Sequence, residues 1–214
     1  MTTHAPIRIL GVAGSLREAS MNRRLARLAA RLVPEGDVEF IEFDDLAGVE
    51  PFDEDVEARG FPLGAARFAA AIREADGVFI ATPEYNGSIP GQLKNALDWA
   101  SRSDGALEAV NGLQGSPLFG VPVAVASASN GQFGAVWARD ELVKVLRTQG
   151  ARPISEPSVT IPNGDTAFTD DGMLANAEAN ERVRELLDEL VAMVTMLREA
   201  RAAAAKASAP AAAS

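Results

Sequence analysis

The residues best suited to chemistry lie in one short stretch, 7–22, IRILGVAGSLREASMN. A strand-length apolar run, 7–13, turns through a loop of glycine, hydroxyl and arginine residues into a helical pattern beginning near Asn22. Unpaired amides and the positive end of a helix dipole converge at such a place, which suits an anion. Ser15, Ser20 and Asn22 can donate neutral hydrogen bonds, and Arg17 offers a fork that matches phosphate oxygens. The alternative is an ordinary strand-to-helix turn in which Ser20 or Asn22 is only an N-cap. Gly11 and Gly14 are spaced wrongly for G-x-x-x-x-G-K-[ST] and for G-x-G-x-x-G, so neither a P-loop nor the dinucleotide fingerprint is present.

A second stretch, 82–99, reads TPEYNGSIPGQLKNALDW. Its loop, with Pro83, Asn86, Gly87 and Ser88, offers backbone amides to a planar heterocycle, and Tyr85 adds an aromatic face at the loop tip. Trp99 falls at helical spacing and reads as core. Ser88 reads as a helix cap and Pro90 as the first turn of the helix that follows.

These loops need a frame, and the rest of the chain supplies one. Strand-like runs at 7–13, 38–43, 77–82, 121–127 and 152–159 alternate with helical patterns at 22–33, 61–75, 90–102, 135–148 and 173–201. The acidic stretch 44–60 reads as a long surface loop, 103–119 as a glycine-rich connection, and the alanine-rich 202–214 as a flexible tail. Five strands alternating with helices predict a doubly wound α/β fold, a parallel sheet covered on both faces. In its five-stranded form the ligand crevice lies beyond the C-terminal ends of the first and third strands. Both chemically loaded loops follow those two strands, so two segments far apart in sequence would line one pocket.

Composition narrows the chemistry. The chain has 214 residues, 47% hydrophobic, with a formal charge of -10, which disfavours general binding to nucleic acid or anionic membranes. It has no cysteine, which removes disulfides, thiolate catalysis, zinc-thiolate sites and cysteine-held iron–sulfur clusters. No apolar run reaches membrane-spanning length, and MTTHAPIRI does not read as a secretory signal, so the expected compartment is the cytoplasm. The single histidine, His4, falls in this short leader. Any chemistry must therefore proceed without a histidine base.

Gly14-Ser15-Leu16-Arg17 with Ser20 and Asn22, followed by Pro83-Glu84-Tyr85-Asn86 and the run PGQLKNALDW at 90–99, resembles the NAD(P)H-dependent FMN reductase family, with its chromate and quinone reductases and azoreductases. The resemblance covers about residues 7–152. It implies a flavodoxin-like fold over 1–201, with the FMN phosphate held by Ser15, Arg17, Ser20 and Asn22, and Met21 in the same loop. The isoalloxazine would be held by Pro83, Glu84, Tyr85 and Asn86, with Gly87 and Ser88 completing that loop. A third flavin loop, SASNGQFG at 127–134, is matched more loosely and contributes Ser127. Gly87 stands where close relatives carry a second aromatic. The implied reaction passes a hydride from NADPH or NADH through FMN to a quinone or similar small acceptor, with chromate and azo compounds in the same class, and the implied assembly is a homodimer or homotetramer. The flavin carries the chemistry, so Glu84 is assigned no proton; a loop carboxylate is more often solvated or bonded to backbone. The competing readings are a flavodoxin-like electron carrier without small-substrate turnover, whose acidic surface would suit a basic partner, and a cofactor-free interaction module.

Overall fold

A computed structural model describes residues 5–103 and 115–208; His4, most of the glycine-rich connection and the last six residues lie outside the described residues. Five of the expected strand positions exist. β1 (Ile7–Ala13), β2 (Val38–Phe43), β3 (Gly77–Thr82) and β4 (Pro122–Ala128) each begin and end within a residue of the positions that their apolar runs predict. The fifth differs. The expected strand at 152–159 is split into β5 (Arg152–Pro153) and β6 (Val159–Ile161), both parallel to β4, the first beside Pro122 and Val123 and the second beside residues 126–128. Between them the chain leaves the ladder around Pro157, which has no N–H to donate to it.

The strand order is β2-β1-β3-β4-β5, with every pair parallel. The order reverses direction at β1, so the crevice opens between the C-terminal ends of β1 and β3. The helices between the strands are α1 (Met21–Leu32), α2 (Glu54–Glu57), α3 (Leu63–Arg73), α4 (Gly91–Ala100) and α5 (Val136–Thr148), and α6 (Ala177–Ser208) closes the chain. Alternation along the central strands divides the core into two layers. Leu10, Val12, Val78, Ile80, Val123 and Val125 pack with α3, α4 and α5, while Ile9, Phe79, Ala81, Ala124 and Ala126 pack with α1 and α6.

Two further expectations change on inspection. The stretch 44–60 is not a plain surface loop. It forms a single 3₁₀ turn (Leu46–Gly48) and α2, and it buries Leu46 and Val49. Side chains on α4 hold it down: Gln92 Nε2 donates to the carbonyls of Leu46 and Val49, each at 2.8 Å, and Asn95 Nδ2 and Trp99 Nε1 both donate to the Glu50 carbonyl. Trp99 is fully buried between Phe52 and Phe61, each ring 5.0 Å away, so its expected core role holds. The last helix begins later and ends later than its apolar stripe suggests. Asn176 starts it by accepting from the N–H groups of Glu178 and Ala179. Alanine, the best helix former, then carries it on to Ser208, although side chains 201–207 are exposed.

Candidate functional site

Three loops meet at the C-terminal edge of the sheet. The first leaves β1 at Gly14, whose N–H donates to the Ala81 carbonyl of β3 at 2.8 Å and so ties the loop to the switch point. Ser20 is the N-cap of α1, and its Oγ accepts from the Asn22 N–H at 3.1 Å. Ser15 Oγ accepts from the Arg17 N–H at 3.4 Å. Both hydroxyls are almost fully buried, and both keep a hydrogen to donate. The N–H groups of Leu16, Glu18 and Ala19 carry no hydrogen bond among the described residues. The exposed Arg17 guanidinium likewise has no partner among them. In a chain of charge -10 this is a local collection of donors at a helix N-terminus without an acceptor. A phosphate supplies what is missing, so the residues present fit the phosphate end of FMN.

Asn22 also has a partner within the fold. Its side chain is 1% exposed, with Nδ2 donating to the Ala128 carbonyl at 2.9 Å and Oδ1 accepting from the Ala128 N–H at 3.0 Å. The second Nδ2 hydrogen has no partner among the described residues, and Asn22 lines the cleft. The side chain also locks the first turn of α1 onto the end of β4.

The second loop is a tight turn. Tyr85 and Ser88 exchange backbone hydrogen bonds at 2.9 and 3.2 Å, and the two residues between them, Asn86 and Gly87, have φ of 54° and 77°. An Asn-Gly pair with both residues at positive φ is what a two-residue hairpin turn of type I′ demands. The turn lifts Tyr85 to 48% exposure, as its loop-tip position suggested. Ser88 does not cap the following helix: Pro90 occupies that position, and no side chain caps α4. Glu84 is neither free nor catalytic in geometry, because its Oε2 accepts from the Ala138 N–H of α5 at 3.2 Å.

The third loop contributes Ala128, Ser129 and Asn130 to a cleft of about 180 Å³. Ser15, Arg17, Ser20, Met21, Asn22, Pro83, Glu84 and Tyr85 complete its lining, so eight of the twelve residues singled out in the sequence converge there. Asn86, Gly87 and Ser88 stand at the turn tip beside it. Ser127 does not reach it. That side chain is fully buried, and its hydroxyl donates to the Gly134 carbonyl at 2.6 Å. Ser127 and Ser129 fall on the same face of the strand direction, and it is Ser129, past the last residue of β4, that lines the cleft. Larger hollows of about 430 and 490 Å³ lie at the opposite edge of the sheet and beside the start of α6.

The sequence profile of the NADPH-dependent FMN reductase family matches residues 7–166, which span all three loops. The chain belongs to that family. Among curated NADPH-dependent FMN reductase relatives it is similar to an NAD(P)H-dependent FMN reductase of Pseudomonas aeruginosa, 39% identical over 90% of this chain and 97% of the other. It is also similar to a quinone reductase of Escherichia coli K12, 36% identical over 71% of this chain and 75% of the other. Among solved structures, the flavoenzyme NAD(P)H:(acceptor) oxidoreductase FerB of Paracoccus denitrificans superposes with a TM-score of 0.76 at 29% identity, covering 89% of this chain and 98% of that one. In this member of the NADPH-dependent FMN reductase family the doubly wound order is the one that the resemblance implies. No helix among the described residues is long and apolar enough to cross a membrane.

Proposed function

We propose that this protein is an FMN-dependent oxidoreductase that takes a hydride from NADPH or NADH and reduces quinones or similar small acceptors, chromate and azo compounds included in that class. The observation that carries the proposal is the set of unpaired donors at Ser15, Arg17 and Ser20 opening into the same cleft as the half-exposed Tyr85. FMN held there would supply the two-electron chemistry itself. Ser15, Ser20 and Arg17, with the free amides between them, bind and neutralise the phosphate; Pro83 and the Tyr85–Ser88 turn hold one edge of the ring, and Ser129 and Asn130 close the other side. Tyr85 presents an aromatic face to whichever substrate occupies the open side. Hydride transfer needs no protein acid or base at this site, in keeping with a chain whose one histidine is at position 4.

The curated relatives are named as reductases, which favours turnover of small substrates over a carrier role. We take residues 1–201 as the working unit, the alanine-rich end as dispensable, the cytoplasm as its compartment, and a homodimer or homotetramer as its assembly. Exposed Leu16 and Phe133 in the loops of this edge, with Trp137 at the start of α5, are the apolar groups a second copy could cover. The test is purification without added cofactor, identification of released flavin by mass, and assay of NADPH and NADH oxidation with a soluble quinone. A colourless protein that takes up no FMN overturns the proposal.

A further inference from the structure

Glu84 makes a bond that the cofactor reading does not use. Its carboxylate reaches from the second loop to the Ala138 N–H in the first turn of α5, 54 residues further along the chain. α5 lacks a cap of its own. The residue before it, Ala135, has no side-chain acceptor and sits in the left-handed region at φ 66°. Gly134, at φ 59°, precedes it, and a Cβ there would come within 2.8 Å of the Ile161 backbone nitrogen. The third loop thus reaches α5 through two consecutive left-handed residues pressed against β6; the Val136 N–H donates back to the Phe133 carbonyl, and the Ala138 N–H is left for another element to satisfy. A carboxylate in that place is also favoured by the helix dipole.

The same device recurs on this face of the sheet. α3 follows Pro62, which cannot cap it, and the Glu50 carboxylate accepts from the N–H groups of Gly64 and Ala65, both at 3.1 Å. Glu50 does this away from the cleft, whereas Glu84 lines the cleft. What Glu84 holds is the start of α5, where Trp137 stands; Ser129 and Asn130 are hydrogen-bonded instead to Ile161, Gly164 and Asp165. The third loop carries Ser129 and Asn130 on the cleft surface and Phe133 beyond them; Phe133 and Trp137 of α5 are both more than half exposed, with ring centroids 5.2 Å apart. The carbonyl carbon of Trp137 is bonded directly to the nitrogen that Glu84 engages.

We propose that Glu84 is a positioning residue: its carboxylate clamps the first turn of α5 to the second loop, and so fixes where Trp137 and the Phe133 ring packed on it stand relative to Tyr85, at the edge where a planar acceptor must fit. In its acceptor-binding part the proposal rests on the reductase reading; in its structural part it does not.

Two readouts separate those parts. Amide hydrogen exchange of Ala138, followed without flavin, should show protection in wild type that falls about tenfold in Glu84→Ala, the effect of losing one charge-assisted hydrogen bond. Glu84→Gln, whose amide oxygen accepts the same bond, should retain most of that protection. Glu84→Asp, which keeps the charge but is one methylene shorter, should lose it. In FMN-loaded protein, Glu84→Ala and Glu84→Asp should raise KM for benzoquinone about fivefold or more with kcat within about twofold, and Glu84→Gln should recover most of the KM. An Ala138 amide that exchanges equally fast in wild type and Glu84→Ala overturns the clamp. So does a KM change shared by Glu84→Ala and Glu84→Gln but absent in Glu84→Asp, because charge would then be the cause. Protein that shows the exchange pattern yet oxidises no NAD(P)H would retain the clamp and lose the reductase reading.

Discussion

Asn22 and Ala128, 106 residues apart, exchange two hydrogen bonds, the asparagine amide pairing with the backbone of β4 as a neighbouring strand would. The pair is buried, and it joins the phosphate-side loop to the third loop beneath the cleft. Asn22→Ala leaves one carbonyl and one N–H unsatisfied, each costing about 1–3 kcal/mol. Urea unfolding should therefore show a loss of about 2–4 kcal/mol, with weaker FMN binding because the two loops no longer share an anchor. A variant as stable as wild type would mean that water replaces the side chain without cost.

Arg17 differs in kind, since its guanidinium has no partner among the described residues and contributes nothing visible to the fold. Arg17→Ala should leave the unfolding midpoint unchanged and weaken FMN binding about tenfold or more, the effect of one charge-assisted contact. Flavin fluorescence titration reads this directly. Unchanged affinity would remove Arg17 from the phosphate site.

Ser127 should show the reverse pattern. Its hydroxyl is committed to the Gly134 carbonyl at 2.6 Å, under the third loop and away from the cleft. Ser127→Ala should cost about 1–3 kcal/mol of stability. It should change FMN affinity by less than about threefold. A large loss of affinity at unchanged stability would restore Ser127 to the cofactor contacts that the sequence suggested.

That contrast marks how far the sequence was legible. Apolar runs and helical stripes gave the strand positions, and the class of fold then put the loops after β1 and β3 side by side, because the switch point follows from topology alone. Asn86-Gly87 carried the signal of the tight turn, although the sequence was read there only as a loop. What could not be read were pairings of a side chain with distant backbone: Asn22 with Ala128, Glu84 with Ala138, and Gln92 and Asn95 with the 44–60 stretch. Such pairings leave no periodicity, and a polar residue looks the same whether it is free for a ligand or already bonded. Ser127 and Ser129 likewise differ only in which lies beyond the end of the sheet. The capping residue Asn176 was readable in principle, but the apolar stripe of α6 extends visually past it.

The opposite edge of the sheet gives a prediction in pH. Asp76 accepts from Arg198 Nε and Nη2 at 2.9 and 2.6 Å and from the Arg8 N–H at 2.9 Å. Burial pushes its carboxyl up, but the Arg198 hydrogen bonds, the Arg8 amide and the charges of Arg198 and Arg201 together outweigh burial and hold it below the usual aspartate value. A depressed folded value stabilises the fold above the unfolded value of about 3.9, and that contribution is lost as pH falls through the lower folded value. The stability difference between wild type and Asp76→Asn should be full near neutral pH and shrink below about pH 4. A difference independent of pH across that range would show that the carboxylate charge is not what anchors α6.

The most direct test of the reductase account is a single anaerobic turnover on wild-type protein loaded with FMN. NADPH or NADH alone should bleach the visible flavin absorbance, and benzoquinone added afterwards should restore it, with steady-state plots that run parallel because both substrates use the one open face beside Tyr85. Flavin that neither nicotinamide bleaches, but that exchanges single electrons readily with a redox protein, would contradict the account and leave the same cleft to an electron carrier.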